Sequence, residues 1–252
     1  MRKPLAIDLF CGLGGWSDGL LAEGWDVIGF DIEQHVYGEH RYPAQLVVQD
    51  VRTLHGSQFR NAALIVGSSP CQEFSYRAMP WKRAKALGPP VLGMELFNAQ
   101  FRIQREACEA AGRHIPLIVE NVRGAQPWVG RARWNFGSYY LWGDVPALMP
   151  ITLKGTKNPG FRFDGSGRSF QSESVDRNIK NGGGSWFKVA HNTTSGHGQN
   201  PDGRNWKRDP MASAGSGSKK RKQAAAMIAK IPLPLSRYIA ATFRPTIAEA
   251  AE

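Results

Sequence analysis

Pro4-Leu5-Ala6-Ile7-Asp8-Leu9-Phe10-Cys11-Gly12-Leu13-Gly14-Gly15 is a short aliphatic run that breaks into three glycines within four residues. A strand that feeds a helix through a glycine-rich turn is the entry unit of an open α/β sheet. There the glycines adopt positive φ and let the backbone approach a nucleotide-like ligand. The residues that follow, 16–23, are compatible with that helix. Working outward, four more aliphatic runs, 26–32, 46–51, 63–67 and 117–122, alternate with longer helix-compatible stretches. Of these stretches, 93–112 carries an imperfect apolar stripe of Leu96, Phe97, Phe101, Ile103 and Cys108. Continuous aliphatic strands separated by helices predict an α/β fold, a mostly parallel, doubly wound, Rossmann-like sheet covered on both faces. Residues 139–142 are a candidate further strand.

Each aliphatic run ends at residues able to do chemistry, and ligands of such sheets bind outside the carboxyl ends of the strands. Asp31 ends the second run, where a carboxylate after the glycine turn accepts from ribose hydroxyls, and Asp50 ends the third, where it can accept from an exocyclic amine. The fourth runs into Ser68-Ser69-Pro70-Cys71-Gln72-Glu73-Phe74-Ser75, which puts a cysteine on a strand-end loop rather than in a core. The fifth contains Val119-Glu120-Asn121-Val122, whose carboxyl follows three aliphatic residues; burial there favours a protonated acid able to donate a hydrogen bond.

The 252 residues hold 32 Lys+Arg against 21 Asp+Glu, a net charge of +11 that favours polyanions, nucleic acid first among them. Three cysteines, Cys11, Cys71 and Cys108, form no CxxC pair, so neither a disulfide framework nor a metal site is expected. The aliphatic run at the amino end is interrupted by Asp8 and is expected to be a strand, not a signal peptide. No segment has the roughly 18 apolar residues of a membrane span. Beyond Pro150 the composition changes: residues 151–218 contain 12 glycines and ten Lys/Arg against five Asp/Glu, interleaved with Phe161, Trp186, Phe187 and Trp206. That stretch is expected to be a small, loop-rich recognition lobe following a catalytic region at 1–150. Residues 219–244 would form two short helices, 224–230 and 234–243, ahead of a tail at 245–252.

Asp8-Leu9-Phe10-x-Gly12-x-Gly14-Gly15, Pro70-Cys71-Gln72 and Glu120-Asn121-Val122, in this order, resemble the first, fourth and sixth motifs of the cytosine-5 DNA methyltransferases. Asp31-Ile32 and Asp50-Val51 are similar to their second and third motifs, and Ala229-Lys230-Ile231-Pro232 with 235–239 is similar to the last, whose helix packs beside the glycine turn. The resemblance implies a Rossmann-like methyltransferase sheet that uses S-adenosylmethionine. By it Phe10, Gly12, Leu13, Gly14, Gly15, Asp31, Ile32, Asp50, Val51 and Pro70 bind the cofactor, and Cys71, Glu120 and Asn121 are catalytic. The thiolate would add to carbon 6 of a flipped-out cytosine while Glu120 protonates ring nitrogen 3. Gln72, Ser75, Arg77, Lys82 and Arg83 on the loop after Cys71, together with Arg131 and Arg133, would contact double-stranded DNA.

Two departures from the family pattern stand out. The Gln-x-Arg-x-Arg segment expected before 139–142 is absent, with Arg131 and Arg133 displaced toward the amino end, and no ninth motif is recognisable. The expected protein is a monomer in the cytoplasm of a bacterial or phage-infected cell, associated with the nucleoid. Restriction-modification, phage self-protection and regulation stay open as its role. The competing expectations are a tRNA cytosine-5 methyltransferase, whose Cys-Phe-Thr signature is missing, and a catalytically impaired DNA-binding relative, against which intact Cys71 and Glu120 speak.

Overall fold

The computed structural model describes residues 3–74, 89–149, 226 and 229–245. Five parallel strands form its centre: β1 (Leu5–Leu9), β2 (Asp26–Asp31), β3 (Gln45–Val48), β4 (Leu64–Ser68) and β5 (Leu117–Asn121). A hairpin of β6 (Trp134–Phe136) and β7 (Tyr139–Gly143) completes a seven-stranded sheet in the order β3-β2-β1-β4-β5-β7-β6. β7 runs antiparallel to both β5 and β6. The helices are α1 (Gly15–Ala22), α2 (Val91–Ala111), the short α3 (Gln126–Val129) and α4 (Leu233–Thr242). The fold is thus the mostly parallel, doubly wound α/β sheet expected. The order reverses at β1 and β4, so ligands gather outside the carboxyl ends of those two strands.

Alternation along the strands divides the core in two. Ile7, Leu9, Ile65, Leu117 and Val119 are buried on one face with Phe97, Ile103 and Ala107 of α2. Ala6, Leu64, Val66 and Ile118 are buried on the other with Trp16 and Leu20 of α1 and Leu235, Ile239 and Ala240 of α4. Both faces being covered, the strands read as unbroken aliphatic runs rather than alternating ones.

α1 begins where Gly14 sits in the left-handed region at φ 75, a conformation that costs glycine nothing. α4 returns to lie along α1. Trp25 Nε1 donates to the Ala240 carbonyl at 3.1 Å, Lys230 Nζ lies 2.6 Å from Asp18 Oδ2, and Arg237 Nη2 lies 2.6 Å from Glu23 Oε1. The approach is so close that a Cβ on Gly15 would stand 2.2 Å from the backbone nitrogen of Ile231. Gly15→Ala must push the two segments apart, an overpacking cost of about 1–3 kcal/mol. Thermal unfolding should therefore drop by about 2–10 °C, and an unchanged melting temperature would mean that α4 is not seated here.

Two local expectations need correcting. The third strand, expected over 46–51, ends at Val48. The Asp50 carboxylate accepts from the Arg52 N–H at 2.9 Å and caps a 3-10 turn over Val51–Thr53, so local side-chain bonding outcompetes the ladder. β6 is a strand that the sequence reading does not include. Trp134-Asn135-Phe136 pairs with Tyr139-Tyr140-Leu141 across Gly137 at φ 60 and Ser138, a two-residue Gly-Ser hairpin turn that the sequence does signal. The remaining boundaries differ from expectation by at most two residues at either end. The expected lobe at 151–218 lies outside the described residues, as does most of the expected helix at 224–230.

Candidate active site

The carboxyl ends of β1 and β2 form one half of the site. After Leu9 the chain turns through Phe10 (φ 56), Gly12 (φ 49) and Gly14. The Gly12 N–H donates to Asp31 Oδ2 at 2.9 Å, so the carboxylate at the end of β2 holds the glycine turn open. Nothing lies within 4 Å of a Cβ built on Gly12, which leaves room above the turn. Leu13 is buried, Gly14 abuts Pro43, and Ile32 stands 67% exposed beside Asp31. Burial opposes the charge on Asp31, yet hydrogen bonds from His35, Gly12 and Glu33 hold its carboxyl below the ordinary value. Asp31 therefore stays a carboxylate, able to accept from sugar hydroxyls on its remaining lone pairs.

Beneath the turn lies a group to which the motif gave no role. Asp8 is 1% exposed, accepts from Ser17 Oγ at 2.6 Å on Oδ2, and has no partner on Oδ1. Ser17 Oγ also lies 2.6 Å from Tyr42 Oη. Burial pushes the Asp8 carboxyl up to about 8, so it is neutral at physiological pH. Asp50, by contrast, is engaged by the Arg52 fork, with Nη2 at 2.6 Å and Nε at 3.0 Å from Oδ2, and this holds its carboxyl below the ordinary value. Val51 next to it is buried in the core rather than open to a ligand.

The ends of β4 and β5 supply the other half. Ser68 and Glu120 are register partners on these strands. Asn121 Nδ2 donates to the Ser69 carbonyl at 3.0 Å and to Ser69 Oγ at 3.1 Å, while its Oδ1 accepts from Val122 N–H at 2.8 Å. That side chain is wholly spent on fixing the segment that leads into Pro70 and Cys71. Past Cys71 the chain closes a turn, Phe74 N–H to Cys71 carbonyl at 3.1 Å, and buried Phe74 anchors it. Cys71 is a free, half-buried thiol. Glu120 is 8% exposed, and burial raises its carboxyl to about 8, partly offset by a hydrogen bond from the Ser68 side chain. Burial likewise pushes the Cys71 thiol up, and the Glu120 charge adds to the effect. Only a carboxyl near the sulfur exerts such an influence, so the two groups share one electrostatic environment.

Of the other expected contacts, Gln72, Arg131 and Arg133 are exposed. Ser75, Arg77, Lys82 and Arg83 lie outside the described residues. Among the described residues no cluster of three or more His, Cys, Asp or Glu could hold a metal ion, and no helix is long and apolar enough to cross a membrane. The sequence did not reveal Ser17, Tyr42, Ser68 or Ser69 as parts of the site. Their contacts span 9 to 52 residues and need the strand order to be visible.

Residues 5–87 match the family model for C-5 cytosine-specific DNA methylase. The type II methyltransferase M.XorII of Xanthomonas oryzae pv. oryzae is 28% identical over 142 residues, which is 50% of this chain and 34% of that protein. The chain therefore spans about a third of that relative. The crystal structure of a protein encoded within an E. coli prophage, described as a DNA modification methyltransferase, matches at 29% identity and a TM-score of 0.32. That match covers 49% of this chain and 33% of the other. The S. pombe Dnmt2 methyltransferase matches at 16% identity and a TM-score of 0.33, covering 51% and 38%.

Proposed function

We propose that this chain, its residues 5–87 matching the C-5 cytosine-specific DNA methylase model, transfers a methyl group from S-adenosylmethionine to carbon 5 of cytosine in DNA. The observation that carries this reading is the placement of Cys71, on the loop that follows β4, within the electrostatic influence of the buried acid Glu120 at the end of the adjoining β5. The positive charge of +11 favours a polyanionic substrate.

The residues present fit the donor. The open space above Gly12, the ionised Asp31 and the exposed apolar Ile32 suit a ribose and a planar base. Phe10, Gly14, Gly15 and Pro70 border the same strand ends, and Asp50 would accept from the adenine amine on the lone pair that Arg52 leaves free. When bound, the donor supplies a sulfonium methyl to carbon 5.

Carbon 5 of cytosine is a weak nucleophile until the ring is activated. The Cys71 thiolate adds to carbon 6, forming a carbon–sulfur bond, while protonated Glu120 gives its proton to ring nitrogen 3 and neutralises the charge that develops. The ring is then enamine-like at carbon 5. After methylation, transfer of the carbon 5 proton to water lets the carbon–sulfur bond break and expels Cys71 as thiolate, and nitrogen 3 returns its proton to Glu120. Both ring faces must be reached, so the base leaves the duplex stack. Gln72, Arg131 and Arg133, with Ser75, Arg77, Lys82 and Arg83, are proposed to hold the surrounding backbone. Asn121 acts by positioning the cysteine loop.

The test is transfer of labelled methyl from S-adenosylmethionine to DNA and, in parallel, to tRNA, followed by digestion to nucleosides. Labelled 5-methylcytosine is expected from DNA. Its absence from every DNA tested, or its appearance in tRNA alone, would overturn the proposal.

A further inference from the structure

Resting on the role proposed for Glu120, we propose that Ser68 is the positioning residue of the acid: locked by Trp16, its hydroxyl gives its one proton to Glu120 and so turns the acid's own proton toward the base. Trp16 is 2% exposed on α1, directly after the glycine turn, and its Nε1 donates to Ser68 Oγ at 3.0 Å. An indole nitrogen is a donor only, so this contact has one possible direction. With Oγ accepting from the indole, the hydroxyl hydrogen of Ser68 is directed elsewhere, and the polar side chain directly across the ladder on the same face is that of its register partner Glu120, whose carboxyl pKa is lowered by Ser68.

The strand arrangement makes this pairing specific. Ser68 and Glu120 are register partners on neighbouring parallel strands, and both follow the alternation of the α1-facing residues Val66 and Ile118. On the other side of β5, Glu120 is paired with Leu141 of β7, whose side chain offers no polar atom. Of the two strands flanking the acid, only β4 can address it.

The consequence for the reaction is directional. A neutral carboxylic acid has one oxygen that accepts and one that carries the proton. Ser68 occupies the accepting oxygen, so the proton-bearing oxygen faces away from it, free to meet ring nitrogen 3. Without Ser68 the acid has no fixed accepting side, and its proton points productively in only a fraction of molecules. The chain Trp16 to Ser68 to Glu120 also runs from the start of α1, beside the donor turn, to the acid, so the two halves of the site share one hydrogen-bond path.

Ser68→Ala is expected to lower kcat about 10-fold to 100-fold while leaving KM for DNA and for the donor within about threefold. The pH at which the rate stops rising should move upward, because a bond that stabilises the carboxylate is lost. Ser68→Thr keeps the hydroxyl and should restore both. Covalent capture of a 5-fluorocytosine duplex, followed alongside thermal melting, shows whether the variants are folded and whether the wild type performs the chemistry at all. A wild type that forms neither adduct nor product sinks the proposed function and this inference together. An active wild type whose alanine variant keeps its kcat and its pH break, or whose threonine variant is as impaired as alanine, overturns the role of Ser68 alone.

Discussion

Cys71→Ser is expected to lower methyl transfer by about 10³-fold or more while the protein continues to bind donor and DNA. The half-buried sulfur sits on a loop fixed from both sides, by Asn121 upstream and by buried Phe74 downstream, so exchange of sulfur for oxygen disturbs no packing that the fold depends on. What changes is nucleophilicity, since a hydroxyl in this position has no comparable anionic form near neutral pH. A duplex carrying 5-fluorocytosine discriminates sharply. Fluorine cannot leave as a proton does, so the wild type should stall as a covalent complex visible on a denaturing gel, and the serine variant should give none. Retention of the adduct by the serine variant would remove Cys71 from the reaction.

The second large effect concerns the acid. Glu120→Gln keeps the shape and a hydrogen-bond donor but has no proton to give, and a general acid contributes about 10²-fold to 10⁴-fold to a rate. Its signature is in the pH dependence. Glu120 is held near 8 by burial, and Cys71 is raised above its ordinary value by burial and by the Glu120 charge. The proposed mechanism needs the acid protonated and the thiol ionised; below pH 8 both groups carry protons, so the rate is expected to be limited by the scarce thiolate. kcat/KM should then rise about tenfold per pH unit up to about 8, level off as gain of thiolate is cancelled by loss of the acid, and fall at higher pH. In Glu120→Gln the break at about 8 should vanish and the rise continue, at a lower level, to the thiol's own titration. A variant that keeps the break would place it on another group, with buried Asp8, also near 8, the first to examine.

How much of this was legible in the sequence varies with the physics of each element. β1, β2, β4 and β5 are buried on both faces, so their unbroken aliphatic runs could be read to within a residue or two. β3 is a half-exposed edge strand, and what ends it is a side-chain capture by Asp50 that composition does not announce. β6 is readable from Trp134-Asn135-Phe136 and the Gly137-Ser138 turn, a two-residue hairpin signal between two aromatic runs. In the site, residues at strand ends were visible because topology concentrates ligands there. Trp16, Ser68 and Tyr42 were not. A hydroxyl's partner depends on which strands are neighbours, and Trp16 and Ser68 lie 52 residues apart.

The return of α4 to α1 bears on how the molecule is made. Trp16, Leu20 and Trp25 leave the ribosome well before the residues that shield them, which include Ile231, Leu235, Ile239 and Ala240, with one hydrogen bond reaching across 215 positions. Until those late residues emerge, two indole rings and the outer side of the glycine turn face solvent, an aggregation-prone interval in which a nascent chain needs shielding by a chaperone. A premature stop anywhere before residue 231 would therefore leave Cys71 and Glu120 encoded but the glycine turn unsupported, a product destined for proteolysis.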